Sequence, residues 1–306
     1  MINRTLIRLK VVQMMYAYYM DEGKSTINAE KELQKSMDKS YNLYFFSLLL
    51  IGAITDYARR RMEEREEINR AAHIKDKLNY RFVDNRFVKV LQSNETLRRY
   101  VEENKLTWND EAAYLKSLYE KVIASDFYKE YMNKDEVTFE DDKALWRTIY
   151  KNIISKDEDY DEVLEEKSLY WNDDRIVVDT FVLKTIKRMT EDGGCDQPME
   201  PDYKDEEDRE YAIGLFRSAI KHGEEYRDMI AANVKNWEFQ RLAYMDIVIM
   251  QTAIAEFLNF SNIPTSVTIN EYVEIAKWYS TPRSASYVNG VLDTIAKNIK
   301  KDTLTL

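Results

Sequence analysis

Two histidines, His73 and His222, and one cysteine, Cys195, are all that 306 residues offer to soft-metal or imidazole chemistry. Neither histidine stands in a Cys or Asp/Glu cluster at metal-ligand spacing. A single cysteine excludes an internal disulfide framework and a cysteine metal site, and the simplest compartment is a reducing cytoplasm. Carboxylates are abundant, but abundance is not a constellation. No Gly-rich loop follows a strand pattern, so no phosphate or dinucleotide cradle is expected. The reading is of a protein with no catalytic site, no metal and no cofactor. His222, beside Gly223 in a helical stretch, reads as a surface or capping residue.

What remains is binding chemistry, carried by cationic, aromatic and amide side chains. Arg4, Arg8 and Lys10 supply positive charge on what is expected to be an exposed N-terminal helix. Arg283 and Ser284 stand where the last helix begins, and a helix N-terminus presents unpaired N–H groups to phosphate. Tyr287 offers a stacking face and Asn289 an amide that reads base edges. Each has a plainer alternative: Arg4 and Arg8 as solvated charges, Tyr287 as core. Asn270 and Glu271 read as capping or internally hydrogen-bonded residues. Ile263, Pro264 and Val267 read as architecture, and Trp237 and Trp278 as core.

The elements that must position these residues are helical. Seven Gly and four Pro give few turn or strand signals, and long helix formers dominate. Apolar spacing predicts helices over 3–20, 29–37 and 43–70, then over 82–91, 110–123, 143–154 and 175–189. After a Gly-, Pro- and acid-rich linker at 191–208, four more helical patterns follow: 210–234, 239–260, 265–279 and 284–299. Asn289-Gly290 would ordinarily signal a hairpin. Here Val288, Val291, Leu292, Ile295 and Ile299 impose helical spacing on both sides. A glycine in such a helix costs about 1 kcal/mol, which close approach of another helix or a ligand backbone would explain.

The net charge is −10, which argues against non-specific nucleic-acid binding over the whole surface but not against a local basic patch. Residues 57–100 hold 12 Lys/Arg against 7 Asp/Glu. Arg59, Arg60, Arg61 and Arg65 there are candidates for an RNA path, but interleaved Glu63, Glu64, Glu66 and Glu67 point instead to charges paired along a helix. No apolar run approaches the roughly 20 residues that span a bilayer, so no membrane contact is expected. Nor does the N-terminus carry the apolar core of a signal peptide.

The C-terminal third resembles the NusB family of bacterial transcription antitermination factors. Asp246, Ile249, Ala253 and Glu256-Phe257-Leu258, with Trp237 and Arg241, resemble its fourth helix. Ile263-Pro264 through Val267, Ile269-Asn270-Glu271 and Ala276-Lys277 resemble its fifth. Ser284 to Val288-Asn289-Gly290-Val291-Leu292-Asp293 resembles its last. Arg8 to Tyr16 and Glu210 to Val234 resemble the first and third. The resemblance implies an all-α helical bundle made of residues 1–40 and 206–300, interrupted by a helical insertion at 41–205 and followed by a tail at 301–306. It also implies binding of boxA-type single-stranded RNA from ribosomal RNA leaders, together with the NusE ribosomal protein, within an RNA polymerase antitermination complex. Arg4, Arg8 and Lys10 form a thinner basic cluster than members often carry. The acidity and that thin cluster also allow a helical protein-interaction scaffold with weak RNA binding.

Overall fold

The computed structural model describes every residue except 22, 24, 235–241, 305 and 306, with backbone alone at 300–304. The described residues are built from α-helices, with one isolated parallel bridge between Ile2 and Tyr203. The chain divides into two compact units. One contains Met1 and Asp38–Asp202, the other Ile2–Met37 and Tyr203–Leu306.

In the first unit the core lines a long helix, α2 (Thr26–Ala71), whose first turns belong to the other unit. Around it stand α3 (Arg86–Ser93), α4 (Glu95–Glu103), α5 (Ala112–Ala124), α6 (Asp126–Met132), α7 (Phe139–Asn152), α8 (Glu158–Lys167) and α9 (Arg175–Arg188). Phe45 stacks on Tyr100 at 4.0 Å and Phe46 on Trp108 at 4.1 Å, while the Trp108 indole donates to the Phe46 carbonyl at 3.0 Å. The spacing predicted two helices at 29–37 and 43–70; one continuous helix forms instead. Residues 38–42 contain neither Gly nor Pro, so nothing breaks the ladder between the two apolar stretches. Past Ala58 the helix is mostly charged, and its arginines pair locally. Arg61 meets Glu64 at 3.0 Å, Arg65 meets Asp76 at 3.2 Å, and Arg59 meets Asp84 at 3.4 Å. The paired reading of this basic stretch is the one its geometry supports.

The second unit holds α1 (Arg4–Met20), α10 (Glu206–Lys221), α11 (Gly223–Asn233), α12 (Tyr244–Asn259), α13 (Thr265–Tyr279) and α14 (Ser284–Leu304). Its centre is α12, which packs against α1, α10, α11, α13 and α14. Asp246 through Glu256 are all buried. A helix apolar on nearly all sides belongs in a core, and the run Ile247–Ile254, polar only at Gln251 and Thr252, is such a sequence.

The single helix predicted over 210–234 is two. The break falls at His222, which ends one helix and caps the next. A Cβ on Gly223 would lie 2.6 Å from the Tyr19 hydroxyl and 3.0 Å from Gln251 Nε2, so a larger residue there would displace those two side chains. Of the expected fourth helix, Trp237, Phe239 and Arg241 lie outside the described residues.

Candidate nucleic-acid interface

The N-terminal cations come first. Asn3 caps α1 by accepting the Leu6 N–H at 2.9 Å. Leu6, Ile7, Leu9, Val11, Val12 and Met15 then bury the helix on most of its faces, and Arg8 and Lys10 are carried inside with them. Arg8 is 3% exposed. Its guanidinium forks onto the fully buried Glu256, with Nε and Nη2 donating at 2.8 and 2.9 Å. Its third nitrogen lies 3.3 Å from Glu271.

Glu256 also accepts from Thr268 Oγ1 at 2.6 Å, from Tyr272 at 3.4 Å and from the Tyr211 hydroxyl. Burial disfavours a charged guanidinium, but the hydrogen bonds to Glu256, together with the electrostatic effect of Tyr211, Glu256 and Tyr272, outweigh it and hold the Arg8 pKa above its ordinary value. Burial and then the Glu256 charge push both tyrosines up, so they remain phenols and donate. The expectation that Arg8 and Lys10 present charge to solvent is therefore corrected: the apolar residues around them pull that stretch of α1 into the core.

Arg4 stays half-exposed, but it too has partners. Its Nε donates to Asp208 at 2.8 Å and Nη2 to Glu207 at 2.6 Å, with the guanidinium 5.1 Å from the Tyr211 ring. Burial opposes its charge, and the hydrogen bonds to Asp208 and Glu207 outweigh that and raise its pKa. Charge at this end of α1 is largely answered within the protein.

The start of α14 differs. Ser284 is buried; its hydroxyl donates to Asp246 at 2.8 Å and accepts the Thr281 N–H at 3.2 Å. Ser284 thus ties the α13–α14 turn to the central helix rather than facing solvent. Arg283, Ser286, Asn289 and Gly290 are exposed and Tyr287 is half-buried. Positions 283, 286, 287 and 290 follow i, i+3, i+4, i+7 spacing, so they share one face. Asn289 borders it. A Cβ built on Gly290 meets nothing within 4 Å. Of the two reasons the sequence offered for this glycine, approach of another helix of this chain is not found among the described residues. Gly290 leaves bare backbone on an exposed face, next to Asn289 and about two turns past Arg283.

Other residues fall as follows. Glu271 accepts from Thr5 Oγ1 at 2.9 Å and neighbours Arg8, a structural role. Asn270 is exposed. Trp278, expected in the core, is 44% exposed at the end of α13. Reasoning from types and spacing missed Glu256 as the charge that fixes Arg8. The signal was present: an acid at the end of a mostly apolar run needs a partner if the run is buried.

The matches to known proteins fall mostly on the second unit. A model of the NusB family matches residues 180–297, beginning within α9 and omitting α1. The transcription antitermination protein NusB of Salinibacter ruber is 38% identical over 120 residues, 37% of this chain and 75% of that protein. The protein of the same name from Symbiobacterium thermophilum is 35% identical over 122 residues, 40% of this chain and 76% of that one. That of Koribacter versatilis is 41% identical over 95 residues, 31% and 65%.

Proposed function

The chain belongs to the NusB family, and on that premise we propose that it is an RNA-binding transcription antitermination factor. It takes boxA-type single-stranded RNA as a heterodimer with the NusE ribosomal protein, in the cytoplasm, as part of an RNA polymerase antitermination complex. It works by binding, not by catalysis. Among the described residues no helix is long and apolar enough to cross a membrane.

The observation that carries this reading is the exposed face at the start of α14. Arg283 supplies a phosphate contact, the Tyr287 ring a stacking edge, and Asn289 an amide for a base. Gly290 lets a ligand approach the backbone beside Asn289. Ser284 acts indirectly, by anchoring the turn through Asp246. Arg4 borders the path as a compensated charge, and Arg8 and Lys10 hold the α1 scaffold. The buried and paired state of the α1 cations leaves few charges for phosphate, which supports a reading in which NusE strengthens RNA binding.

Equilibrium binding of a boxA-type RNA, with and without NusE and across a salt series, tests the reading. The expected result is weak binding alone, strengthened by NusE. Arg283→Ala should flatten the salt dependence by about 0.7 in the log–log slope, one single-strand phosphate contact. No binding in either condition would leave the scaffold reading in its place.

A further inference from the structure

A cleft of about 630 Å³ opens in the second unit at the C-terminal end of α1, where α10 turns into α11. Its walls are Tyr18 and Tyr19 of α1 and Tyr244 of α12, with Arg227 among them. The Arg227 guanidinium lies 4.2 Å from the Tyr19 ring centre and 5.5 Å from that of Tyr244. Its Nε donates to Gln251 Oε1 at 3.0 Å and its Nη2 to the Tyr244 hydroxyl at 2.8 Å.

Gln251 is fully buried, and its Nε2 donates to the Tyr19 hydroxyl at 2.7 Å and to the Ala219 carbonyl at 2.8 Å. One buried amide therefore sets both the cation and the ring it stacks on. Such a buried network is costly to assemble and rigid once satisfied. Apolar side chains would have filled the same corner of a helical bundle more simply.

The rim adds Lys221, which is exposed, and His222, whose Nδ1 lies 3.2 Å from Glu225. Glu224 shares the rim. A fixed guanidinium between aromatic rings suits a planar ring, through stacking and cation–π attraction. A lysine beside it suits a phosphate. The two glutamates would repel a bare polyanion, but they accept from N–H groups on a base edge.

We propose that this cleft binds one nucleotide of the RNA chain. The base lies against the tyrosines and Arg227, and the phosphate is directed to Lys221. This rests on the RNA-binding reading above but uses none of the α14 residues.

Calorimetric titration of the full chain with AMP, GMP, UMP and inorganic phosphate tests it, using wild type, Tyr18→Ala and Lys221→Glu. Lys221 is exposed and Tyr18 half-buried, and melting curves confirm that the variants fold. Monophosphates are expected to bind at least about tenfold more tightly than inorganic phosphate, and either substitution should remove about tenfold of that affinity. Monophosphates that bind no better than phosphate, or that bind both variants like wild type, overturn the proposal. The same variants are then compared on boxA-type RNA with NusE, where each is expected to weaken binding. RNA binding by the wild type without nucleotide binding at the cleft would sink the cleft and leave the RNA reading intact. Nucleotide binding at the cleft without RNA binding by the wild type would do the reverse, leaving a nucleotide site outside any RNA path.

Discussion

The second unit contains two arginine–glutamate forks of nearly the same geometry. Arg8 grips Glu256 at 2.8 and 2.9 Å; Arg217 grips Glu30 at 2.7 and 2.7 Å. Their surroundings are opposite. The first pair has side chains 3% and 0% exposed and is ringed by Thr268, Tyr211 and Tyr272. The second has side chains 63% and 19% exposed, with water competing for each hydrogen bond. Identical contacts therefore carry different weight. In the core, an uncompensated partner has no water to turn to; at the surface it has. The same rule separates Arg8 from Arg283. Both were candidates for phosphate on the strength of their type, and burial assigns one to the scaffold and leaves the other for a ligand.

The sharpest way to break this comparison is to remove one partner of the buried fork. Arg8→Ala leaves Glu256 charged in the core with only hydroxyl donors. It is expected to cost about 3–5 kcal/mol, read from urea unfolding. A cost below about 1 kcal/mol would mean that the pair is hydrated in solution and that Arg8 is available to RNA after all. Glu256→Gln should destabilise in the same direction, since it leaves the buried guanidinium with Glu271 as its one anionic neighbour among the described contacts.

Next in size is Ser284→Ala. It takes away the hydroxyl that bridges Asp246 and the Thr281 N–H, leaving a buried carboxylate short of a donor. The expected cost is about 1–3 kcal/mol. RNA affinity should fall less than with Arg283→Ala, because Ser284 anchors the turn while Arg283 faces out. A larger affinity loss at Ser284, with stability unchanged, would make its hydroxyl a ligand contact.

Gly290→Ala sharpens the comparison by giving two readouts of opposite sign. With nothing within 4 Å of the new methyl, the helix should gain about 0.5–1 kcal/mol from the better helix former. If RNA or NusE approaches the bare backbone there, affinity should fall although the protein is more stable. Gain in both would remove close approach as the reason for this glycine.

These cases mark what the sequence made legible. Helical content was readable because glycine and proline are scarce and apolar residues recur at helical spacing. The boundaries of α13 and the start of α14 follow directly from that pattern. The break at His222–Gly223 was not read, because helix formers flank it; the closeness of Tyr19 and Gln251 to Gly223 lies in the fold and not in the local sequence. The fusion of two predicted stretches into α2 was missed for the converse reason: a polar interval without Gly or Pro was read as a gap. For the site, exposure was the missing term. Arg4, Arg8 and Lys10 look alike as letters, and only packing around α12 shows Arg8 and Lys10 to be inside. The tyrosine-walled cleft had no local signal at all, since its members come from four helices and one turn.

The smallest expected effect belongs to the exposed fork. The hydrogen bond from Arg217 lowers the Glu30 pKa against a slight opposing effect of burial. A carboxyl whose folded pKa lies below its unfolded value adds stability at pH above the unfolded pKa, near 4.3 for glutamate. That contribution is lost as pH falls through the lowered folded value. Glu30→Gln should therefore slightly lower the urea midpoint at pH 7 and leave it unchanged well below pH 4.3. At neutral pH the loss should shrink further in high salt, because exposed charges are screened. A loss at pH 7 as large as that of Glu256→Gln would overturn the claim that burial, rather than the shape of the fork, sets its weight.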